Sequence, residues 1–396
     1  MARFWGCRSH SLIVLNLKVR DHLTPQDIAQ SRLYQQQITA TRFKTPGQVV
    51  AWLGALQAQD YLGAKWSIGL RLPDAAETGI EQAIADKTIV RTWPMRGTLH
   101  FVAAEDVRWL LKLLTPRVIA QTAGRYRQLE LDEATFARSK DLFAQALQGG
   151  QQFTREEMLQ CLEKANISTA GQRGYHILVR SAQDGLICFG APQGKQQTFT
   201  LLDEWIPAAK SLEREEALAE LAQRYFTGHG PATIPDFAWW SGLTLTDARA
   251  GLEQVKSQLS QETVDGQTYW LSPDMPAIAQ DSPTAFLLPG FDEYLLGYTD
   301  RSAVLEPIHA PKIVPGNNGI FMPTIVINGK VAGTWKRTFK KNTVMITLSP
   351  FGSFSEAQNS AITTAAERYG RFVGLSPMIV SYLNFAQIRG NMDSLI

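Results

Sequence analysis

Thr154-Arg-Glu-Glu157, followed by apolar Met158, Leu159 and Leu162, opens the stretch that decides the fold. A threonine three residues ahead of a glutamate is a capping box: the hydroxyl accepts the backbone N–H at the third helical position, and the carboxylate reaches back to the N–H of the cap. A helix starts there. After Gly171, the segment Gly174-Tyr-His-Ile-Leu-Val-Arg-Ser-Ala182 keeps helical spacing and stops at Asp184-Gly185, where glycine accepts a left-handed cap. Leu186-Ile-Cys-Phe189, the turn-rich Ala191-Pro-Gln-Gly-Lys195 and Thr198-Phe-Thr-Leu-Leu202 then read as a β-hairpin. Helix, helix and hairpin in this order spell a winged helix, ending near Trp205.

The same order recurs on both sides. Upstream, Pro25 and Pro46 suit the first turns of two helices between Thr24 and about Leu56, and Ile89-Val-Arg-Thr-Trp93 returns as Thr98-Leu-His-Phe-Val102 around Met95-Arg-Gly97. Downstream, a unit runs from Glu213 through Thr233-Ile-Pro-Asp-Phe-Ala-Trp-Trp240 and Thr244 to Gln258, closing on a hairpin across Asp265-Gly266. Between the first two units, Ala104 to about Gln148 supplies helices that pack the repeats together. After Asp281 the texture changes to short β-rich runs: Ala285-Phe-Leu-Leu288, Thr324-Ile-Val-Ile327, Val331-Ala-Gly-Thr-Trp335 and Thr343-Val-Met-Ile-Thr347. Asn328-Gly329 signals a tight hairpin, and alanines with spaced apolar residues predict a last helix over about Ser355 to Val373. The expectation is an α+β protein: three tandem winged-helix units packed into one body with a small C-terminal β-barrel-like region. Its boundaries are an N-terminal tail over 1–22, the first winged helix with the Gln-x-Gln motif over 23–103, and linking helices with the second over 104–210. The third winged helix follows over 211–275, then the β-barrel-like region and C-terminal helix over 276–396.

A chain of 396 residues with 44% hydrophobic content suits several packed units. Its net charge of +2 provides no global cationic field, so any nucleic-acid surface must come from local clustering. Cys7, Cys161 and Cys188 are odd in number and far apart, which suits a reducing compartment and offers no zinc spacing. No metal or cofactor is expected. The apolar run from Ser11 to Leu17 is short and lacks a small-residue cleavage site, so residues 1–22 read as a tail rather than a signal peptide. No other run reaches membrane-spanning length, and a cytoplasmic protein is expected. Tandem units in one chain make a monomer adequate.

Leu53-Gly-Ala-Leu-Gln-Ala-Gln-Asp-Tyr-Leu-Gly-Ala-Lys-Trp66 places Gln57 and Gln59 two residues apart at the end of an apolar, helix-like run. On a continuing helix such a pair diverges around the axis; on an extended segment both side chains face the same way. Two amides then orient one water without acting as strong bases, which suffices where the leaving group is already activated. From spacing alone, ordinary hydrogen bonding at a helix end is the commoner use of such a pair.

Four blocks, QAQDYLGAKWSIGLR, VRTWPMRGTLHFV, FDEYLLGYTDR and NGIFMPTIVINGKVAGTWKR, together resemble the AlkZ-like DNA glycosylases, a family of winged-helix proteins. The resemblance runs from about Leu23 to the C-terminus and places that family's catalytic Gln-x-Gln on Gln57 and Gln59. A sister branch carries Gln-x-Asp; here position 59 is Gln and the acid follows as Asp60. The resemblance implies a monofunctional DNA glycosylase acting on double-stranded DNA carrying N7-alkylated purines, extending to the unhooking of interstrand crosslinks. A base alkylated at N7 is positively charged and departs neutral, leaving the enzyme to stabilise the sugar cation and deliver water.

Other candidates surround this pair. Asp60 lends negative potential near the sugar or, more in keeping with aspartate, caps the helix starting at Tyr61. Arg96 at the first hairpin tip is placed to reach a phosphate, and His100 to face the site. Lys330, Lys336, Arg337, Lys340 and Lys341 form the densest positive run, a DNA-facing ribbon with Trp335 or Phe339 as buttress or groove wedge. The plainer reading is a turn with edge lysines that block aggregation. Arg117, Arg125 and Arg127 beside Tyr126 make a weaker cluster, and the block from Phe291 to Arg301 has no role assignable from sequence. Two other functions compete: a non-enzymatic winged-helix DNA-binding or regulatory protein, and a bifunctional enzyme in which Lys65 forms a Schiff base.

Overall fold

The computed structural model describes residues 23–274 and 283–381, so the expected N-terminal tail lies outside the described residues. The chain begins with α1 (Pro25–Gln35), α2 (Pro46–Leu53), β1 (Leu56–Gln57), α3 (Tyr61–Gly69), α4 (Glu77–Ala85) and the hairpin β2 (Ile89–Met95) and β3 (Thr98–Ala103). Two linking helices follow, α5 (Val107–Gln128) and α6 (Glu133–Leu147). Next come β4 (Phe153–Thr154), α7 (Arg155–Lys164), α8 (Arg173–Gln183), β5 (Ile187–Phe189), β6 (Thr198–Leu201) and α9 (Leu202–Trp205). A third set comprises α10 (Arg214–His229), α11 (Ile234–Ser241), α12 (Leu245–Val255), β7 (Ser260–Val264) and β8 (Gln267–Leu271). The last part holds β9 (Ala285–Leu288), α13 (Glu293–Leu296), α14 (Ala310–Ile313), β10 (Thr324–Ile327), β11 (Lys330–Phe339), β12 (Thr343–Pro350), α15 (Glu356–Val373) and β13 (Ser376–Ser381).

Local chemistry accounts for most boundaries. Thr154 and Glu157 form the capping box that starts α7, and Ser355 with Gln358 does the same for α15. Thr24, Thr45 and Thr233 cap α1, α2 and α11, each helix with proline in its first turn. Gly54, at φ +76°, ends α2 and turns the chain into β1.

Strand pairing goes beyond those local signals. Arg91 of β2 lies opposite Phe189 of β5, so the first two hairpins merge into one six-stranded sheet of order β1-β3-β2-β5-β6-β4. The third hairpin, β7 and β8, stays a two-stranded ribbon. The C-terminal strands form a five-stranded sheet, β13-β12-β11-β10-β9, an open half-barrel. Its edge strand β13 pairs parallel to β12 through the α15 crossover, a strand the sequence reading did not anticipate. The protein is thus mixed α+β.

Among the described residues, three apolar cores hold these layers together. One joins the helices of the first unit to the C-terminal sheet: the Trp66 ring lies 5.1 Å from Tyr369 and 5.0 Å from Phe372, and its Nε1 donates to Leu287 O at 2.7 Å. A second gathers α5 and α10–α12 around the first hairpin, and a third packs α6–α8 against β5 and β6. Leu56 and Ala58 belong to the first core and Ala55 to the second, so the segment carrying both glutamines runs along the seam between them.

Candidate active site

Between the glycine that ends α2 and the cap of α3, residues 55–59 are not helical, which is the condition the glutamine spacing requires. Asp60 sets the downstream limit by capping α3, its Oδ1 accepting from Gly63 N at 3.0 Å. Gln57 pairs with His100 in the β1–β3 ladder. Its side chain is buried, with 7% of its surface exposed, whereas Gln59 lies in the open. Gln57 Oε1 accepts from Gln59 N at 3.0 Å, and Gln59 Oε1 accepts from Leu99 N at 3.2 Å. These backbone donors fix which end of each amide is oxygen. Each carbonyl keeps a second lone pair, and neither Nε2 has a hydrogen-bond partner among the described residues. The two amides therefore keep unused acceptor and donor capacity.

From the block Phe291 to Arg301, Glu293 reaches this segment. Glu293, 1% exposed, accepts from Gln57 N through Oε1 at 3.2 Å; its Oε2 accepts from Trp240 Nε1 at 2.8 Å and lies 3.4 Å from His229 Nε2. Burial pushes this carboxyl up, but the hydrogen bond with His229 and the nearby Arg96 guanidinium outweigh it and hold the group below the ordinary carboxylate range. On the other side, Arg91 donates to Ala58 O from Nε at 3.2 Å and Nη2 at 2.9 Å, and from Nη1 to Gln197 Oε1 at 3.2 Å. Burial lowers the Arg91 pKa to about 10, which leaves it cationic at neutral pH. Sequence reasoning missed Glu293, His229, Trp240 and Arg91. Two of them sat inside the family-like blocks, yet Glu293 meets Gln57 across 236 residues of chain and no local pattern encodes that meeting.

Arg96 and His100 come together rather than facing outward. With Gly97, Arg96 takes positive φ in the hairpin turn, and its Nη2 lies 3.1 Å from His100 Nε2. His100 Nδ1 lies 2.9 Å from Thr98 O, an atom that only accepts, so Nδ1 carries the proton and Nε2 accepts from Arg96. Burial and the Arg96 charge push the His100 pKa down to about 3. A histidine whose folded pKa is depressed takes up its proton first in the unfolded chain, so folding stability falls as pH drops below the ordinary value of about 6.5. At pH 5 this group alone costs about 2 kcal/mol. His100→Gln, which keeps an acceptor for Arg96, is expected to flatten the loss of urea midpoint between pH 7 and pH 5; an unchanged acid limb would show that His100 is not the group responsible.

The remaining candidates divide. Arg337 Nη2 contacts Asp60 Oδ1 at 2.8 Å and Oδ2 at 2.7 Å, so Asp60 is both helix cap and ion-pair partner. Lys330 donates to Ala303 O at 2.6 Å. Arg337 and Lys330 are thus tied inside the protein. Lys336, Lys340 and Lys341 are exposed on the β11–β12 hairpin, with Phe339 exposed near its tip, while Trp335 is buried and donates to Leu288 O at 2.7 Å. Arg125 is held by Gln128 and Gln172, and Tyr126 is buried. Lys65 is buried and paired with Glu77 and Glu81; burial lowers its pKa, but those carboxylates more than offset it and hold the group as an ammonium, which argues against a Schiff-base role. Among the described residues, no group of three or more His, Cys, Asp or Glu could hold a metal ion, and no helix is long and apolar enough to cross a membrane.

A family model described as DNA glycosylase AlkZ-like matches residues 50–372. A curated relative, the interstrand DNA cross-link repair glycosylase of Streptomyces sahachiroi, is 27% identical over 368 residues, spanning 88% of this chain and 96% of that protein. The solved structure of the Streptomyces sahachiroi DNA glycosylase AlkZ superposes with a TM-score of 0.72 at 24% identity, covering 91% of this chain and all of the other, a likeness of fold.

Proposed function

Because the chain belongs to the AlkZ-like DNA glycosylase family, and is thereby a hydrolase of N-glycosyl bonds, we propose that it acts on N7-alkylated purines in double-stranded DNA with a water positioned by Gln57 and Gln59. The observation that carries this reading is the pair of amides on a non-helical segment, each carbonyl oriented by a backbone donor and each retaining a free lone pair. Alkylation at N7 places a positive charge on the purine. When the C1′–N9 bond breaks, its electron pair neutralises that charge and the base departs without being protonated. Water then forms the new bond to C1′ and releases a proton to solvent, so the amides need to orient the nucleophile rather than ionise it.

The cross-link repair activity in the curated relative's name supports extending the substrate to a purine tethered to the opposite strand. Such a base cannot be swung into a deep pocket, so its sugar must be approached from outside the duplex. Three winged-helix units over 23–103, 104–210 and 211–275, with the sheet region beyond, form the docking body in this reading. Lys336, Lys340 and Lys341 neutralise phosphates from the β11–β12 hairpin. Arg96 and His100 act as an inner brace of the site, and Asp60 fixes the start of α3 beside it.

The decisive experiment uses duplexes carrying one N7-methylguanine or one bulky N7 adduct, beside undamaged duplex. Alkali-labile abasic strands are expected from alkylated DNA alone. Sequence-selective binding to undamaged duplex, with no base release from either adduct, would overturn the assignment.

A further inference from the structure

We propose that Glu293 and Arg91 are positioning residues that clamp the Gln57–Gln59 backbone from opposite sides with opposite charges, an inference that rests on the two glutamines handling the water. The peptide groups of this segment are held one by one. Gln57 N–H donates to the Glu293 carboxylate, Ala58 N–H to Leu99 O at 2.7 Å, and Gln59 N–H to Gln57 Oε1. The Ala58 carbonyl, midway between the glutamines, accepts two bonds from the Arg91 fork. Anion at an N–H and cation at a C=O are both charge-assisted arrangements, stronger than neutral ones of the same geometry.

The chemistry of Glu293 makes the carboxylate specific. Gln57 N–H approaches one oxygen and Trp240 Nε1–H the other, so the group must accept at both ends. An amide of the same shape accepts at one end only and turns an NH2 toward the second donor. Arg96 and His100 from the first hairpin, His229 and Tyr225 from α10, and Tyr298 beyond α13 are the other charged and titratable groups that act on this carboxylate among the described residues. The clamp also reaches outward. Arg91 is braced by Gln197 from the second hairpin and by the rings of Tyr61 at 5.0 Å and Phe189 at 4.7 Å, while Trp240 belongs to α11. Gln57 and Gln59 are thereby registered against elements from every part of the fold, and loss of either charge should shift the amides while leaving the DNA-facing lysines in place.

The test compares Glu293→Gln, Glu293→Gln with Trp240→Phe, and Arg91→Lys in the full chain. Single-turnover base release from an N7-methylguanine duplex is expected to fall roughly 100-fold in Glu293→Gln, the scale of a small misplacement of a positioned group, with duplex affinity unchanged. Removing the Trp240 donor frees the amide carbonyl for Gln57 N–H, so the double variant should recover most of the rate; a passive packing role predicts no recovery. Arg91→Lys should lose about 10-fold, because a point charge replaces a fork. Hydrogen exchange of the peptide covering 54–60 supplies a second readout that needs no substrate, and should quicken in Glu293→Gln and Arg91→Lys but return toward wild type in the double variant. Unchanged exchange and unchanged rate in Glu293→Gln would overturn the clamp. A wild-type protein that releases no base would defeat the glycosylase reading instead, and exchange would still decide whether the two charges hold the segment.

Discussion

Gln57→Ala combined with Gln59→Ala is expected to lower base release from N7-alkylguanine duplex by about 10²–10⁴-fold, the range spanned by loss of a positioned acid–base group, while duplex affinity stays within a factor of about two. The split follows from where the amides lie. Neither lies on the β11–β12 hairpin with the exposed lysines, so the phosphate contacts proposed for those lysines should survive, whereas the proposed water would lose both of its orienting carbonyls. The single changes should differ in kind. Gln59→Ala removes an exposed side chain and frees only Leu99 N–H, which solvent can reach, so the fold should be untouched. Gln57→Ala also strips the acceptor from Gln59 N–H and opens space in a buried position, so some stability goes with the rate. Single-turnover assays beside anisotropy titrations distinguish these outcomes, and a double variant that retains full activity would remove the glutamines from the mechanism.

The second large effect concerns stability. Asp292→Ala should destabilise the protein by about 3–5 kcal/mol, the usual consequence of removing one member of a buried ion pair, read as a lower urea midpoint. Arg71 is fully buried and Asp292 nearly so; the guanidinium donates to Asp292 Oδ2 at 2.9 Å and Oδ1 at 2.8 Å, and also bonds Ser67 and Gln36. Without the carboxylate, that cation is stranded in the first core. Asp292→Asn keeps one acceptor and should lose less. The pH dependence has a definite sign. Burial pushes the Asp292 carboxyl up, but the Arg71 charge and hydrogen bonds hold it below the ordinary carboxylate value. Its contribution is therefore complete above the unfolded pKa of about 3.9 and disappears as pH falls through the lower folded value. Because Asp292 also caps α13, accepting from Tyr294 N at 3.0 Å, the same change should loosen the helix that carries Glu293. An unfolding free energy within about 1 kcal/mol of wild type would mean that Arg71 finds another acceptor.

Much of this architecture was legible where the determining interactions are short in sequence. Thr154 with Glu157, Pro46 in the first turn of α2, Asp265-Gly266 and Asn328-Gly329 act within a few residues, and the corresponding helices and turns appear where that chemistry puts them. The pairing of β2 with β5 and the parallel strand β13 were not legible, because an edge accepts many partners and the choice is made by packing. The candidate site divides along the same line. Gln57, Gln59, Asp60, Arg96 and His100 lie within the first unit, but the glutamine pair is singled out by the resemblance over the whole chain, since spacing alone favours ordinary hydrogen bonding. Glu293 could not be singled out: a glutamate within an aromatic block looks like any other until the fold brings it beneath Gln57. The ribbon of cations was over-counted for a related reason, since sequence shows a charge but not its partner, and Arg337 and Lys330 have partners inside the protein.

The seam along which residues 55–59 run has a consequence for inheritance. Recombination between the third hairpin and the C-terminal sheet would hand the two glutamines to one descendant and the carboxylate beneath them to another. The parts of this chain cannot be traded as spare parts. Lineages carrying this site should therefore transmit the gene whole, with loss of either the glutamine segment or the carboxylate that holds it selected against.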